Sequence, residues 1–172
     1  MAKADISIKE TGGRNFVPVD RWIVNVNSGT LPLIEAGEPA KISTARSSNQ
    51  HAILCVDADM TIGTDKNFVG VAQGDSTETA AAYGYGDFYQ PISDVLWEIK
   101  AETASTADTQ SEIDSFSGWC FVLDLTAGVF TMGLAGGTAA ANAFVVTGGD
   151  PNRSSVYFKI RLDATVFGRD AV

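Results

Sequence analysis

The sequence predicts a mainly β fold, either a compact β-barrel or a β-sandwich, with one short α-helix and an extended N-terminal arm. Three observations predict it. Only 19% of the 172 residues are charged, and alanine, threonine, serine and 17 glycines take the place of the missing charge. Apolar residues recur at every second position in several short runs. Glycine-rich clusters separate these runs, as tight turns do. We expect residues 1–15 to form the arm and residues 16–172 a single β-rich domain.

The N-terminal arm is predicted from a weak alternation that ends at a flexible joint. Ile6 and Ile8 alternate with polar residues, and Gly12 and Gly13 follow. Such arms can add a strand to the sheet edge of a partner; the alternative is a frayed chain terminus. If Ile6 and Ile8 bind a partner, removing residues 1–13 is expected to weaken that attachment and leave the fold intact.

The strands of the domain are predicted from apolar runs of five to thirteen residues. In the run 95–101, Trp97 and Ile99 are expected to face the core, whereas Glu98 and Lys100 are expected to face solvent. Seven runs are predicted to contain strands: RWIVNVN (21–27), AILCV (52–56), NFVGVAQGD (67–75), VLWEIKA (95–101), WCFVLDL (119–125), AFVVT (143–147) and SVYFKIRLDATVF (155–167).

One helix is predicted within residues 106–118, TADTQSEIDSFSG. Thr109 and Glu112 have the spacing of a capping box. Ile113 and Phe116 lie three residues apart, and therefore on one face.

The run AAAYGYGDFYQPI, residues 80–92, concentrates aromatic side chains. As a strand it places Tyr83, Tyr85, Asp87 and Tyr89 on one face. We interpret the tyrosines as packing in the core or at a protein interface, since tyrosine has an apolar body and a polar tip. The alternative is a platform for stacking sugar rings. Nucleic acid is disfavoured because no basic residue interleaves with the rings.

The net charge of −9 bears on the partners. Nucleic-acid backbones and anionic membranes are bound by clustered Lys and Arg, and the twelve basic residues here are dispersed. We therefore expect no nucleic-acid and no membrane partner. Because no run resembles a signal peptide or a membrane span, we expect synthesis in the cytoplasm.

No catalytic motif stands out, and we predict that the protein is not an enzyme. His51 is the single histidine, and we interpret it as an ordinary residue at the start of a strand. Asp57 and Asp59 fit a turn better than a calcium loop, because the bidentate glutamate of such a loop is missing. Cys55 and Cys120 lie in apolar runs and are interpreted as buried thiols, with a disulfide between them left open.

We expect no metal site and no cofactor. The remaining acidic candidates are expected on exposed faces or in turns: Glu35, Glu38, Glu98, Glu102 and Glu112.

Three segments resemble, in order and spacing, the head decoration (capsid cement) proteins of tailed phages. They are Gly37-Glu38-Pro39, the strand-like Phe68-Val69-Gly70-Val71-Ala72, and Asp87-Phe88-Tyr89-Gln90-Pro91-Ile92. The resemblance covers residues 30–168 and leaves the N-terminal arm outside it.

The resemblance implies a virion structural protein made in the host cytoplasm. Such a protein binds the outer face of the capsid, stabilises the lattice of the major capsid protein, and associates with itself as a homotrimer or another homo-oligomer. On this hypothesis Ile6, Ile8, Tyr83, Tyr85 and Tyr89 are the interface residues. The alternative from another class is a glycan-binding β-module on the virion surface that aids host adhesion.

Overall fold

The computed structural model describes residues 6–24, 33–42, 51–55, 68–126, 128–136 and 143–161, which contain eleven strands and one α-helix. The helix, α1, spans Gln110–Phe116. The strands are β1 (Ser7–Glu10), β2 (Val19–Val24), β3 (Pro39–Ile42), β4 (Ala52–Leu54), β5 (Phe68–Ala72), β6 (Gly84–Tyr89), β7 (Leu96–Lys100), β8 (Cys120–Thr126), β9 (Val129–Gly133), β10 (Phe144–Asp150) and β11 (Ser155–Ile160).

Five strands close a barrel and six form a sheet. The barrel order is β2-β4-β3-β5-β6, and the sheet order is β1-β7-β11-β10-β8-β9. All neighbours pair antiparallel except β2 and β4, which run parallel and meet at Val24 and Ala52. The predicted mainly β class is confirmed. Of the two architectures left open, the barrel describes β2–β6, and the other strands add a separate sheet.

The barrel and the sheet share core residues through β5. All five residues of β5 are buried. Val69 packs in the barrel cluster, whereas Phe68 and Val71 pack in the larger cluster of the sheet. The rings of Phe68 and Phe144 meet edge-on with centroids 5.7 Å apart, a favourable aromatic geometry. The inner side of β5 therefore fills the barrel while its outer side supports the sheet.

The predicted helix is confirmed with its cap. The Thr109 side chain accepts a hydrogen bond from the Glu112 backbone N–H, and the Glu112 carboxylate accepts one from the Thr109 N–H. Ile113 is buried, and the Phe116 ring contacts Phe121 edge-on. Gly118, just beyond the helix, has a φ of 84°, a conformation that favours glycine.

The alternation predicted for 95–101 holds with one exception. Trp97 and Ile99 are buried and Lys100 is exposed. Glu98 was expected in solvent, but it is buried. Alternation predicts on which side of the sheet a residue lies, but not whether another segment covers that side. Here the turn before β11 covers the side of Glu98, and Arg153 of that turn pairs with it. Two short strands, β3 and β9, were not among the predicted runs.

The N-terminal segment is extended, but it runs along its own domain. β1 pairs antiparallel with β7 at the edge of the sheet. Ile6 belongs to the sheet core with 3% of its surface exposed, and Ile8 packs against the same core. Both side chains are therefore occupied within the chain, so the expectation that residues 1–13 can be removed with the fold intact is revised.

Cys55 and Cys120 are both buried, and no disulfide joins them. This agrees with their interpretation as small hydrophobic residues of the core.

Candidate functional site

The outer wall of the barrel at β2 and β6 carries exposed apolar side chains in register. Of its outward residues, Ile23 is 41% exposed, Tyr85 54% and Val19 38%. Clustered exposed apolar residues mark interaction sites on soluble proteins. We call this surface the β2–β6 face and define it by its three cross-strand pairs: Val19 with Tyr89, Arg21 with Asp87, and Ile23 with Tyr85.

Glycines at the inward positions of β6 explain why its tyrosines face outward. A Cβ on Gly84 would lie 1.9 Å from the backbone nitrogen of Glu78, and a Cβ on Gly86 would lie 2.7 Å from the Phe88 ring. Neither position has room for a side chain. Since neighbouring residues of a strand point to opposite sides, Tyr85 lies outside between them. The alternation predicted for this run is confirmed.

An ion pair lies at the centre of the face. Arg21 Nε and Nη2 donate to the two carboxylate oxygens of Asp87 at 2.8 and 2.9 Å. These hydrogen bonds hold the pKa of Asp87 below its ordinary value and raise that of Arg21. Because the Arg21 side chain is 67% exposed, the pair adds little to stability. Its effect is to fix one positive and one negative charge at defined positions.

A segment beside β6 holds the Tyr85 backbone in place. The Thr77 N–H donates to the Tyr85 carbonyl, and the Tyr85 N–H donates to Thr77 Oγ1, each at 3.0 Å. The Gln73 N–H donates to the Asp87 carbonyl at 2.8 Å. β6 is thus bonded along both edges, so the tyrosine ring projects from a rigid backbone.

A groove of about 370 Å³ runs along this segment. The exposed ring of Tyr85 borders the groove, together with positively and negatively charged side chains. Its lining consists of Arg21, Gln73, Gly74, Asp75, Thr77, Tyr85 and Asp87.

The other two tyrosines of the aromatic run have different surroundings. Tyr83 is 59% exposed, and its ring packs on that of His51, with centroids 4.7 Å apart. Tyr89 is half-buried, and its ring meets Trp97 at 6.5 Å, where the barrel contacts the sheet. Tyr85 is therefore the tyrosine whose exposed ring belongs fully to the face.

His51 lies just before β4, as interpreted from the sequence, but it is buried rather than at the surface. Its Nδ1 has no hydrogen-bond partner among the described residues. Ser47 and Ser48, its neighbours in sequence, lie outside the described residues, as do Asp57 and Asp59.

Two buried glutamates hold one loop in place: Glu38, which was expected on an exposed face or in a turn, and Glu78, for which no prediction was made. The Glu38 carboxylate accepts a hydrogen bond from the Glu35 N–H at 2.7 Å. The Glu78 carboxylate accepts one from the Leu33 N–H. Glu38 and Glu78 are both about nine-tenths buried or more. These carboxylates satisfy backbone groups that no strand pairing reaches, a role that sequence patterns do not reveal.

Sequence reasoning found the tyrosines but missed the β2 half of the face. The signal was present in the predicted strand run RWIVNVN (21–27), in which Trp22 and Val24 share one side by alternation. Both pack in the barrel, which puts Arg21 and Ile23 on the outer side. Val26 lies outside the described residues.

Within the described ranges, no three side chains of His, Cys, Asp or Glu come together as metal ligands. None of the helices described is long and apolar enough to cross a bilayer. Comparison of the chain with protein-family models, with curated proteins and with solved structures found no match.

Proposed function

We propose that this chain is a structural protein that works by binding other protein surfaces through the β2–β6 face. The observation that carries the proposal is the in-register placement of Ile23 against Tyr85 on a rigid, exposed wall. Aromatic and aliphatic side chains of this kind dominate the energetics of protein interfaces.

The biological setting that we propose is the outer surface of a phage capsid. This setting is supported by the sequence resemblance to decoration proteins. In it, this chain binds the major capsid protein and other copies of itself. The net charge of −9 is consistent with an outward position, since excess charge of one sign keeps particles apart. A protein that binds only the assembled lattice stabilises that lattice by mass action, and repeated copies add avidity.

The outer edge of β1 offers a second contact in this setting. β1 lies at the end of the sheet order, and no described strand pairs with its other side. An edge strand with unpaired backbone groups accepts a strand from another chain. In this arrangement Ile6 and Ile8 hold β1 in place, and the backbone makes the contact to the capsid protein.

The test is attachment to capsids assembled without this protein. Added wild-type protein is expected to co-sediment with the capsids and to raise their melting temperature. Tyr85→Asp is expected to weaken attachment at least about tenfold by placing an unpaired charge in the contact. Trp119→Asp is the matched control, because Trp119 is 48% exposed and lies outside the face. A wild-type protein that leaves capsid occupancy and melting unchanged would refute the proposal.

The groove beside Tyr85 favours glycan binding as a second candidate function. Sugar rings stack on exposed aromatic side chains, and their hydroxyls need fixed polar partners, which Arg21, Asp75 and Asp87 offer here. A glycan array separates the two candidates. If the groove binds sugar, Tyr85→Ala abolishes the signal, while Tyr83→Ala retains it because Tyr83 does not line the groove. An array on which wild-type protein gives no signal removes this candidate.

A further inference from the structure

The β2–β6 face is complementary to itself because of its register. Each of its three pairs joins unlike partners: an aliphatic side chain opposite an aromatic one at Ile23 and Tyr85, and a cation opposite an anion at Arg21 and Asp87. The third pair, Val19 and Tyr89, repeats the aliphatic and aromatic combination on the other side of the ion pair, with the Tyr89 ring half-buried and in contact with Trp97.

Two copies related by a twofold axis parallel to the strands would bring their β2–β6 faces together with complementary residues opposite each other. Rotation by half a turn about an axis lying over the gap between β2 and β6 places β2 of a second copy above β6 of the first. Positions along the strands do not change in this operation. Each residue therefore comes to face the residue that is its own cross-strand partner. Arg21 faces a second Asp87, Ile23 a second Tyr85, and Val19 a second Tyr89.

Electrostatics favours docking of two copies through the β2–β6 face over docking through other surfaces of the chain. With a net charge of −9, two copies repel over most orientations. The β2–β6 face holds one cation and one anion, so its own net charge is zero. In the twofold arrangement the four charges alternate in sign, and the exposed apolar side chains on either side of them leave water.

We propose that a second copy of this chain docks on the β2–β6 face about a twofold axis parallel to β2 and β6. The inference rests on the proposed function in one respect, the use of this face for protein contact, and it assigns this face to the contact between two copies of the chain. The proposed contact is isologous, so each residue contributes twice. Aligned packing of two sheet faces allows about 30° between their strand directions.

Charge reversal tests the proposal, with sedimentation and light scattering reporting the number of chains per particle. Wild-type protein is expected to form dimers. Arg21→Asp leaves two anions on the face and Asp87→Arg leaves two cations. Each variant alone is expected to have a dimer dissociation constant raised at least about tenfold. An equimolar mixture of the two variants is expected to restore the dimer, because each contact between the two chains then joins an anion to a cation.

A second ion pair of the chain provides the matched control. Arg14 and Asp94 are joined at 2.6 Å with side chains 41% and 47% exposed, and neither belongs to the three pairs that define the face. Arg14→Asp and Asp94→Arg are expected to leave the dimer unchanged, and circular dichroism checks that all four variants fold.

The outcomes separate the two proposals. A monomeric wild-type protein, dimers that survive Arg21→Asp, or a mixture of the variants that stays monomeric would each overturn the twofold dimer. If such a protein still attaches to capsids, the proposed function stands without the dimer. If the charge-reversal pattern is found but the dimer does not bind capsids, the dimer stands and the capsid proposal fails.

Discussion

Glu98 Oε1 accepts a hydrogen bond from Ser155 Oγ at 2.8 Å, which joins β7 to the start of β11 inside the protein. Arg153, in the turn before β11, donates from Nη1 to the other carboxylate oxygen, Oε2, at 3.2 Å, and the same nitrogen lies 3.0 Å from Oε1. Glu98 and Ser155 are buried, whereas Arg153 is more than half exposed. The carboxylate thus fastens the turn to the sheet, and it is not free to act on a substrate in this conformation.

Glu98→Ala is expected to lower the free energy of unfolding by about 1–3 kcal/mol, because the buried Ser155 hydroxyl loses its acceptor. Glu98→Gln is the matched variant: its carbonyl oxygen still accepts from Ser155, so its loss is expected to be smaller. Urea unfolding at neutral pH measures both. Equal losses in the two variants would show that the hydrogen bond to Ser155 is not what stabilises this turn.

Gly70→Ala is expected to destabilise the fold by about 2 kcal/mol or more. Gly70 has a φ of +151°, and a Cβ there would lie 2.2 Å from the Tyr89 carbonyl oxygen, so neither the backbone nor the neighbouring strand accommodates alanine. Gly74→Ala serves as the control, since nothing lies within 4 Å of its Cβ position. Thermal unfolding compares the two; a Gly70→Ala variant as stable as Gly74→Ala would contradict the close approach of β5 and β6.

Thr109→Ala is expected to cost about 1 kcal/mol of stability, the usual effect of losing an N-cap hydroxyl. Thr103 precedes a short 3₁₀ turn and makes no side-chain cap hydrogen bond, so Thr103→Ala is expected to change stability by less than about 0.5 kcal/mol. Chemical denaturation resolves the difference. Similar effects at both positions would argue against the capping box as a source of helix stability.

The Arg21–Asp87 pair predicts a specific pH dependence. Its hydrogen bonds lower the pKa of Asp87 in the folded state. As the pH falls below the unfolded value of about 4, the unfolded chain takes up a proton first, and the contribution of the pair to stability is lost. Above that pH the contribution is constant. The coupling free energy is expected to be small because solvent screens the exposed pair.

A double-mutant cycle of Arg21→Gln and Asp87→Asn, measured by denaturation at several pH values, isolates this coupling. Measurements at low protein concentration keep self-association out of the comparison. A coupling that grows as the pH falls through 4 would have the wrong sign for a lowered pKa.

Ile6→Ala is expected to cost about 2–5 kcal/mol, as large-to-small changes in a packed core do, because Ile6 lies in the sheet core. Phe16→Ala is the control in the same segment: Phe16 is 71% exposed, and its loss is expected to change stability by less than about 0.5 kcal/mol. Calorimetry provides the comparison. A fold unaffected by Ile6→Ala would restore the hypothesis that the N-terminal segment is free to bind elsewhere.

Local periodicity predicted those features of the fold that depend on neighbours in sequence. The faces of 95–101 with the exception of Glu98, the common face of Tyr85, Asp87 and Tyr89, and the capping box of α1 follow from spacing alone, and the structure has all three. The division of the strands into a barrel and a sheet does not follow from spacing, because it depends on which distant strands meet. The single parallel pair of β2 and β4, at Val24 and Ala52, has no local signal.

Only the β6 half of the candidate site could be predicted from the sequence. Tyr85 stands out by its glycine neighbours, but its pairing with Ile23 becomes visible only when β2 and β6 are in register. Glu98 and Glu78 were assigned to solvent or passed over because the groups that bury them come from distant segments: Arg153 for Glu98 and the Leu33 backbone for Glu78.

The position of β5 between two clusters has an evolutionary consequence. Phe68 and Val71 complete the sheet core, and Val69 completes the barrel core. A gene fragment encoding the sheet alone would lack Phe68 and Val71 from its core, and one encoding the barrel alone would expose both side chains to water. Recombination between related genes is therefore expected to inherit barrel and sheet together, with exchange confined to the surface loops.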